Sequence, residues 1–401
     1  MSITHELKKM LISFWKPTPA VIALGVLSVY YFGITGTYWA VTGEFTRWGG
    51  HILESLGVDI SDWGYFNIMG MKGNSLSRVD GVMIIGMFGG IIAATLWGNK
   101  LKFRLPASRI RIYQALIGGI IAGFGARLGM GCNLASLFTG IPQFSAHAWF
   151  FTIAMIVGVY FGVKFTQLKL FRSKIQMQKI SCDVPQVMQK DRAKGFFTFG
   201  TIVFSLIIAW ALYLIFVAGS TKLGIAMLFG SAFGLIIAKA QICFTSAFRD
   251  LFITGRSQMS RAIVIAMAVS TIGIFSYIMI GIPPKIMWAG PNTIIGGALF
   301  GFGIVVAGGC ECGWMYRAVE GQTHFWIVGI GNVIGATLLA FVWDDIAPLL
   351  ATSWPKINLL ESFGAYGGLL FNYLLLFLLF LLILKIEKNY SNKLKAENYA
   401  K

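Results

Sequence analysis

Two of the five cysteines in this 401-residue chain close the same glycine-framed phrase. Ile117-Gly118-Gly119 leads through Gly123-Phe124-Gly125 to Gly131-Cys132, and Ile295-Gly296-Gly297 leads through Gly301-Phe302-Gly303 to Gly309-Cys310. The copies keep a constant separation of 178 residues, and eight of sixteen ungapped positions are identical, where roughly one or two would match by chance. An internal repeat therefore brings one thiol to an equivalent place in each half. A third cysteine, Cys243, lies in Gln241-Ile242-Cys243-Phe244-Thr245-Ser246-Ala247-Phe248-Arg249-Asp250, directly after an apolar run and six residues before Arg249. Thiols are weak donors and weak acceptors with a soft sulfur, chemistry that suits an anion carrying its own soft atom. The competing reading for a cysteine in an apolar helix is inert packing. Cys312 forms a C-x-C with Cys310, and the four histidines (His5, His51, His147 and His324) do not supply finger-like zinc spacing, so no metal site is expected. Cys182 lies in a basic segment and reads as incidental, and the five cysteines do not read as a disulfide framework.

The residues that position these thiols are membrane residues. The chain is 56% hydrophobic and 12% charged, with a mean hydropathy of +0.73, against about 25% charged in an ordinary soluble domain. Apolar stretches long enough to cross ~30 Å of hydrocarbon recur, and ten spans are expected, centred near residues 30, 88, 119, 154, 207, 231, 271, 301, 334 and 374. The predicted fold is an all-α polytopic membrane protein. Its organisation reads as an N-terminal segment (1–18), a first membrane half (19–163), a basic linker (164–195), a second membrane half (196–384) and a tail (385–401). The first apolar run is long and lacks an A-x-A site, which argues against a cleavable signal peptide.

Charge placement predicts orientation. Lys100, Lys102, Arg104, Arg109 and Arg111 cluster without an acid, segment 164–194 carries eight Lys/Arg, and the tail adds Lys385, Lys388, Lys393, Lys395 and Lys401. Glu44, Glu54, Asp59, Asp62, Asp80, Asp344, Asp345 and Glu361 fall on the other side. The positive-inside rule makes both termini cytoplasmic, and ten spans return the chain to its starting side. The net charge of +17 follows from this bias, and no nucleic-acid partner is expected. Four charges belong to neither side: Arg127, Glu311, Arg317 and Glu320, all in or beside the repeated cysteine motif. An intramembrane charge is costly unless it is paired or wet, so each is a candidate functional residue. The opposite signs in equal number favour Arg127 neutralising Glu311 or Glu320, and the alternative is that Arg127 attracts the anion.

In this topology the span ending near Arg127 and the span ending at Gly309 cross in opposite directions. The halves are then an inverted repeat, with a site expected near the midplane where the Cys132 and Cys310 segments meet. Asn133-Leu134-Ala135-Ser136-Leu137-Phe138-Thr139-Gly140 and Glu311-Cys312-Gly313-Trp314 follow the two cysteines. Such stretches cannot continue as lipid-facing helix, so broken or re-entrant helices are expected, with N–H groups aimed at an anion. Close glycine packing alone would explain Gly118, Gly119, Gly296 and Gly297, but not the cysteine that ends each run.

Gly131-Cys132-Asn133, Ile242-Cys243-Phe244-Thr245-Ser246-Ala247-Phe248-Arg249-Asp250 and Gly308-Gly309-Cys310 with Gly313-Trp314 resemble the motifs of the YeeE/YedE sulfur-transport membrane proteins. The segments Tyr31–Thr37, Thr42–Gly50 and Lys285–Asn292 resemble its YedE branch, which is associated with selenium metabolism. The likeness runs from about Pro19 to Leu384. It implies a bacterial inner-membrane importer, without cofactor or catalytic residue, that passes a small thiosulfate-like sulfur or selenium anion along Cys132, Cys243 and Cys310. Arg127, Asn133, Arg249, Glu311, Arg317 and Glu320 would support the path, and a cytoplasmic TusA-like sulfur carrier protein would be a partner. The stretch after Cys132 departs from the commoner family form, which is richer in Gly, Ser and His, and no role is carried onto Cys312. No G-x-x-x-x-G-K-[ST] is present, which argues against ATP-driven pumping by this chain. The alternative is a membrane thiol oxidoreductase cycling its cysteines through disulfides.

Overall fold

In hydrocarbon each backbone N–H and C=O must find its partner within the chain, so long apolar runs fold as helices. The computed structural model describes residues 3–106, 108–169, 171 and 186–399. Among them helices are the only extended regular structure, beside three isolated β-bridges. Ten stretches are long and apolar enough to span a membrane, and they fall on the ten predicted centres. The protein is therefore an all-α polytopic membrane protein.

A short helix α1 (Ile3–Ile12) precedes α2 (Pro17–Thr35), which begins at Pro17, where a missing N–H is harmless. Two short helices, α3 (Thr42–Ser55) and α4 (Gly64–Met69), lead to α5 (Val79–Trp97) and α6 (Arg109–Leu128). The Ser108 side chain caps α6 by accepting from the Arg111 N–H. A π-helical turn (Asn133–Phe138) and a 3₁₀ turn (Ile141–Gln143) connect to α7 (Ala146–Thr166). The second half comprises α8 (Gln186–Phe216), α9 (Thr221–Ala240), α10 (Phe244–Thr254), α11 (Gln258–Met279), α12 (Pro291–Ala307), α13 (Glu311–Val319) and α14 (His324–Ala347). A second π-helical turn (Pro348–Thr352), α15 (Leu359–Phe363) and α16 (Ala365–Tyr399) complete it. Helix α8 starts at Gln186, inside the basic segment predicted as a linker. Cys182 lies outside the described residues.

Three spans are broken: residues 109–138, 221–254 and 291–319. In each a long helix stops, a cysteine follows in extended backbone, and a short helix begins. Helix α9 stops because Gln241 turns left-handed at φ 53°, and α12 stops at Gly308 with φ 88°, a conformation that costs glycine little.

The centre is held by α6 crossing α12. A Cβ on Gly118 would lie 2.4 Å from the Ala307 nitrogen and 3.0 Å from the Gly303 oxygen, and one on Gly125 would lie 2.5 Å from the Phe300 nitrogen and 2.7 Å from the Gly296 oxygen. As numbers rise along α6 they fall along α12, so the two run antiparallel. The 178-residue offset turns the Gly118–Gly303 contact into the Gly296–Gly125 contact. It also turns α7 against α12 into α14 against α6, and both of these packings are present. The overlap, Gly118–Gly129 against Gly296–Ala307, is eleven residue steps, about 16 Å or half of the ~30 Å hydrocarbon core. A cysteine follows each of its ends.

Glu44 and Asp80, both expected on the outer side, are joined in a charge network. Glu44 is buried and accepts from Arg78 at 2.7 Å, Arg47 at 3.2 Å and Ser75 at 2.7 Å, while Asp80 pairs with Arg47 at 3.4 Å. Arg47 comes from α3, and Arg78 directly precedes α5.

Gly118→Val and Gly303→Val are each expected to destabilise the protein by about 1–3 kcal/mol, because the new methyls have only backbone to displace. Gly367→Ala, whose Cβ would meet only Phe363 at 3.5 Å, is expected to be neutral or to stabilise by up to about 1 kcal/mol. Thermal unfolding in detergent checks both. Wild-type melting of the valine variants would show that the crossing is not a backbone contact.

Candidate functional site

A residue in extended backbone just before a helix leaves the first-turn N–H groups without carbonyl partners. Cys132, Cys243 and Cys310 all occupy this position, at φ/ψ of −111°/−167°, −140°/115° and −82°/−177°. Their carbonyls accept the first helical bonds, from Ser136 at 2.8 Å, Ala247 at 3.1 Å and Trp314 at 2.8 Å. All three side chains are buried. The Cys132 sulfur faces the Leu134 and Ala135 N–H groups and the Thr42 hydroxyl, and the Cys243 sulfur faces the Ser246 N–H. Each thiol thus sits at the positive end of a short helix, a setting that favours negative charge.

The Cys243 and Cys310 sulfurs are 3.9 Å apart. Gly313 makes room for them, since a Cβ there would stand 2.6 Å from the Cys243 sulfur and 3.7 Å from that of Cys310. Glu311 and Cys312, the residues beside Cys310 in α13, lie within electrostatic reach of Cys132, and Cys312 within reach of Cys243. The buried polar atoms around this trail lack protein partners: both amide atoms of Asn133, the hydroxyls of Ser136 and Thr245, one Glu311 carboxylate oxygen and the Asn332 carbonyl. Buried polar groups are normally satisfied, so a concentration of orphans along one track marks a place for a polar guest.

The expected pairing of Arg127 with Glu311 or Glu320 is overturned. Arg127 donates to the Thr42 hydroxyl at 3.3 Å and to the Met69 sulfur at 3.1 Å, and its guanidinium lies 5.2 Å from the Tyr65 ring centre. Among the described residues it makes no salt bridge. Antiparallel packing is the reason. Arg127 ends α6 beside the start of α12, where Asn292 donates to the Leu128 carbonyl at 3.0 Å. Both acids follow the far end of α12. Glu311 accepts from Asn332 at 3.1 Å, and Glu320 accepts from Gln241 at 2.7 Å. Arg317 donates to the Gly308 carbonyl at 3.0 Å, and Arg249 pairs with Asp250 at 2.8 Å.

Two cationic cavities flank the trail. One, of about 270 Å³, is lined by Arg47, Arg127, Lys285 and Lys356 against a single carboxylate, Asp80, and abuts the Cys132 segment through Thr42, Met130 and Ala135. The other, of about 500 Å³, is lined by Arg111, Arg249, Arg317 and His324 with Asp250, and abuts the Cys310 segment at Gly308. Arg111 and Arg127 are sixteen residues apart on α6, so the cavities lie about 24 Å apart along it. The three motif cysteines occupy the closed stretch between, and line neither cavity.

Lys285 is the residue that sequence reasoning missed. Its loop crosses from the second half onto the mouth of the first. Its N–H donates to the Gln143 side chain at 2.6 Å, and its ammonium donates to the Met130 carbonyl at 3.1 Å and stands 4.1 Å from the Tyr38 ring centre. Burial, reinforced by Arg127, pushes this ammonium down to about 7. The signals available were a lysine on the side otherwise poor in basic residues and a place in one of the segments that carry the family resemblance. Thr42, which accepts from Arg127, lay in another such segment but had no chemical signal of its own.

Comparison with known proteins gives the family. A family model described as sulphur transport matches residues 2–161 and 239–400. The chain is 63% identical over 380 residues to the probable transporter YedE of Escherichia coli (strain K12), spanning 95% of this chain and 94% of that protein. It is 62% identical over 390 residues to the probable transporter YedE of Salmonella typhimurium, spanning 97% of each. A shorter match, 40% over 100 residues, joins 24% of this chain to 28% of the thiosulfate transporter TsuA of Escherichia coli (strain K12). With a family model over most of its length and relatives this similar end to end, the chain belongs to the YeeE/YedE sulphur transport family of multi-pass membrane proteins.

Proposed function

We propose that the protein imports a small, thiosulfate-like sulfur or selenium anion across a bacterial inner membrane, along a path formed by Cys132, Cys243 and Cys310. The observation that carries this reading is three buried thiols, each at a helix N-terminus, lying between two cationic cavities at opposite ends of α6. The cavities concentrate the anion. The N–H groups of the short helices replace part of its hydration shell. The thiols hold its soft end weakly, which suits passage, because each station must release what it binds. Asn133 adds two free amide atoms beside the first station.

Both termini are cytoplasmic in this reading, so the Arg127 cavity faces outward and the Arg317 cavity inward. The reciprocal contacts of α6 and α12 favour an inverted pair of halves, with the thiols near the midplane. Thiosulfate is the substrate named for a relative that matches part of the chain, and a selenium analogue fits the same soft chemistry. At the inner cavity, Arg317 and Arg249 would pass the anion toward a TusA-like carrier protein.

Cys132→Ala, Cys243→Ala and Cys310→Ala are each expected to reduce uptake of labelled thiosulfate into proteoliposomes roughly tenfold or more, an effect of about 1.4 kcal/mol. Membrane insertion should be unchanged, and Cys182→Ala should transport normally. Three motif variants with wild-type uptake would refute the path.

Titration of free thiols separates transport from disulfide cycling. Exposure to thiosulfate should leave the thiol count of the wild type unchanged. Loss of two thiols, traced by mass spectrometry to Cys243 and Cys310, would favour the oxidoreductase instead.

A further inference from the structure

Glu311 is the one acid on the cysteine trail. It is the first residue of α13, directly after Cys310, and it is buried. One carboxylate oxygen accepts from the Asn332 amide of α14 at 3.1 Å, and the other has no partner. The ionisable groups nearest to it are thiols: Cys310 and Cys312 on its own segment, Cys243 before α10 and Cys132 before the π-helical turn. No arginine, lysine or histidine pairs with it among the described residues. Arg317, two turns along α13, donates to the Gly308 carbonyl, and Arg127 is committed to Thr42 and Met69.

An ionised carboxylate here would repel any anion moving from Cys132 to the Cys243–Cys310 pair. With no cation beside it, a proton is the counter-charge open to this carboxyl. A structural acid would be expected to have both oxygens satisfied and a cation nearby, as Glu44 has.

We propose that Glu311 is a proton-coupling site: it takes up a proton from the outer side before the anion passes and gives it up to the inner side afterwards, so that proton and anion are imported together. The proposal rests on the transport reading above. Each cycle leaves the carboxyl as it began, with one proton and one anion moved inward. The proton cancels one negative charge of a dianion that must move against an inside-negative potential. Coupling of this kind gives the chain an energy source without a nucleotide.

The test is proton movement rather than a pH profile, because Lys285 in the outer cavity also titrates but carries no proton across. Proteoliposomes loaded with a pH-sensitive dye are given an inward thiosulfate gradient under a potassium–valinomycin clamp. Thiosulfate stays a dianion between pH 6 and 8, so it brings no proton of its own. Wild-type protein should acidify the lumen while it takes up the anion. Glu311→Gln should lose the acidification that accompanies each thiosulfate taken up, whatever rate of uptake it retains.

Equal acidification by Glu311→Gln, or wild-type uptake without acidification, would overturn the proposal. Absence of wild-type uptake would instead overturn the transport reading on which it rests. If Glu311→Gln does not reach the membrane, Asn332→Ala carries the test. It removes the side-chain amide that donates to the Glu311 carboxylate, and should lower the number of protons imported per thiosulfate in the same dye assay. An unchanged ratio in that variant would count against Glu311.

Discussion

Without Cβ atoms at Gly118, Gly125, Gly296 and Gly303, two hydrophobic helices meet backbone to backbone, and the arrangement of the centre follows from that contact. Lipid tails are as apolar as leucine, so burial alone gives helices little reason to associate in a bilayer. Close packing has to supply the attraction, and only small residues allow it. The antiparallel overlap of α6 and α12 is about half the thickness of the hydrocarbon core. Each helix ends beside the body of the other, and the cysteine that follows it precedes a second, shorter helix. A bulky residue at the crossing would move both cysteine segments at once.

The energetics of the trail divide between charge and softness. Opposite unit charges 4 Å apart gain about 4 kcal/mol at an effective dielectric of 20, and a helix N-terminus carries roughly half a charge. On the proposed path, cations in the cavities and N–H groups at the thiols would attract an anion by a few kcal/mol. The same arithmetic explains the spacing of the charges. An arginine beside the sulfurs would hold the anion too well, and Arg127 is instead committed to Thr42 and Met69. An ionised Glu311 would oppose passage by the same few kcal/mol, which makes its unpartnered oxygen the most consequential atom on the trail.

Close glycine packing, one of two explanations of the motif, is present, and it positions the cysteines on which the other explanation rests. Gly118, Gly119, Gly296 and Gly297 do lie against backbone or tight side chains of their neighbours. That proximity fixes where the helices end. Gly313 extends the logic to α13, where its missing Cβ is the space occupied by the Cys243 sulfur.

The ten spans, the all-helical class and an interruption of helix at Cys132 and Cys310 were legible in the sequence, because each rests on local chemistry, although the interruption falls before each cysteine and the stretch expected to be broken after it is helical. Hydropathy over some twenty residues decides whether a segment leaves water, and a run of glycine and polar residues cannot continue as a lipid-facing helix. The repeat was legible because the motif is long and ungapped. Partners were not. Arg127 was matched to an acid by counting signs, yet counting ignores direction, and antiparallel packing puts Arg127 at the opposite end of α12 from Glu311 and Glu320. The 3.9 Å approach of Cys243 to Cys310, the arrival of Lys285 over the first half and the burial of Glu44 between two arginines all join residues far apart in the chain. Pairings of that kind depend on how helices cross, and the crossing is set by backbone contacts that no stretch of sequence contains by itself.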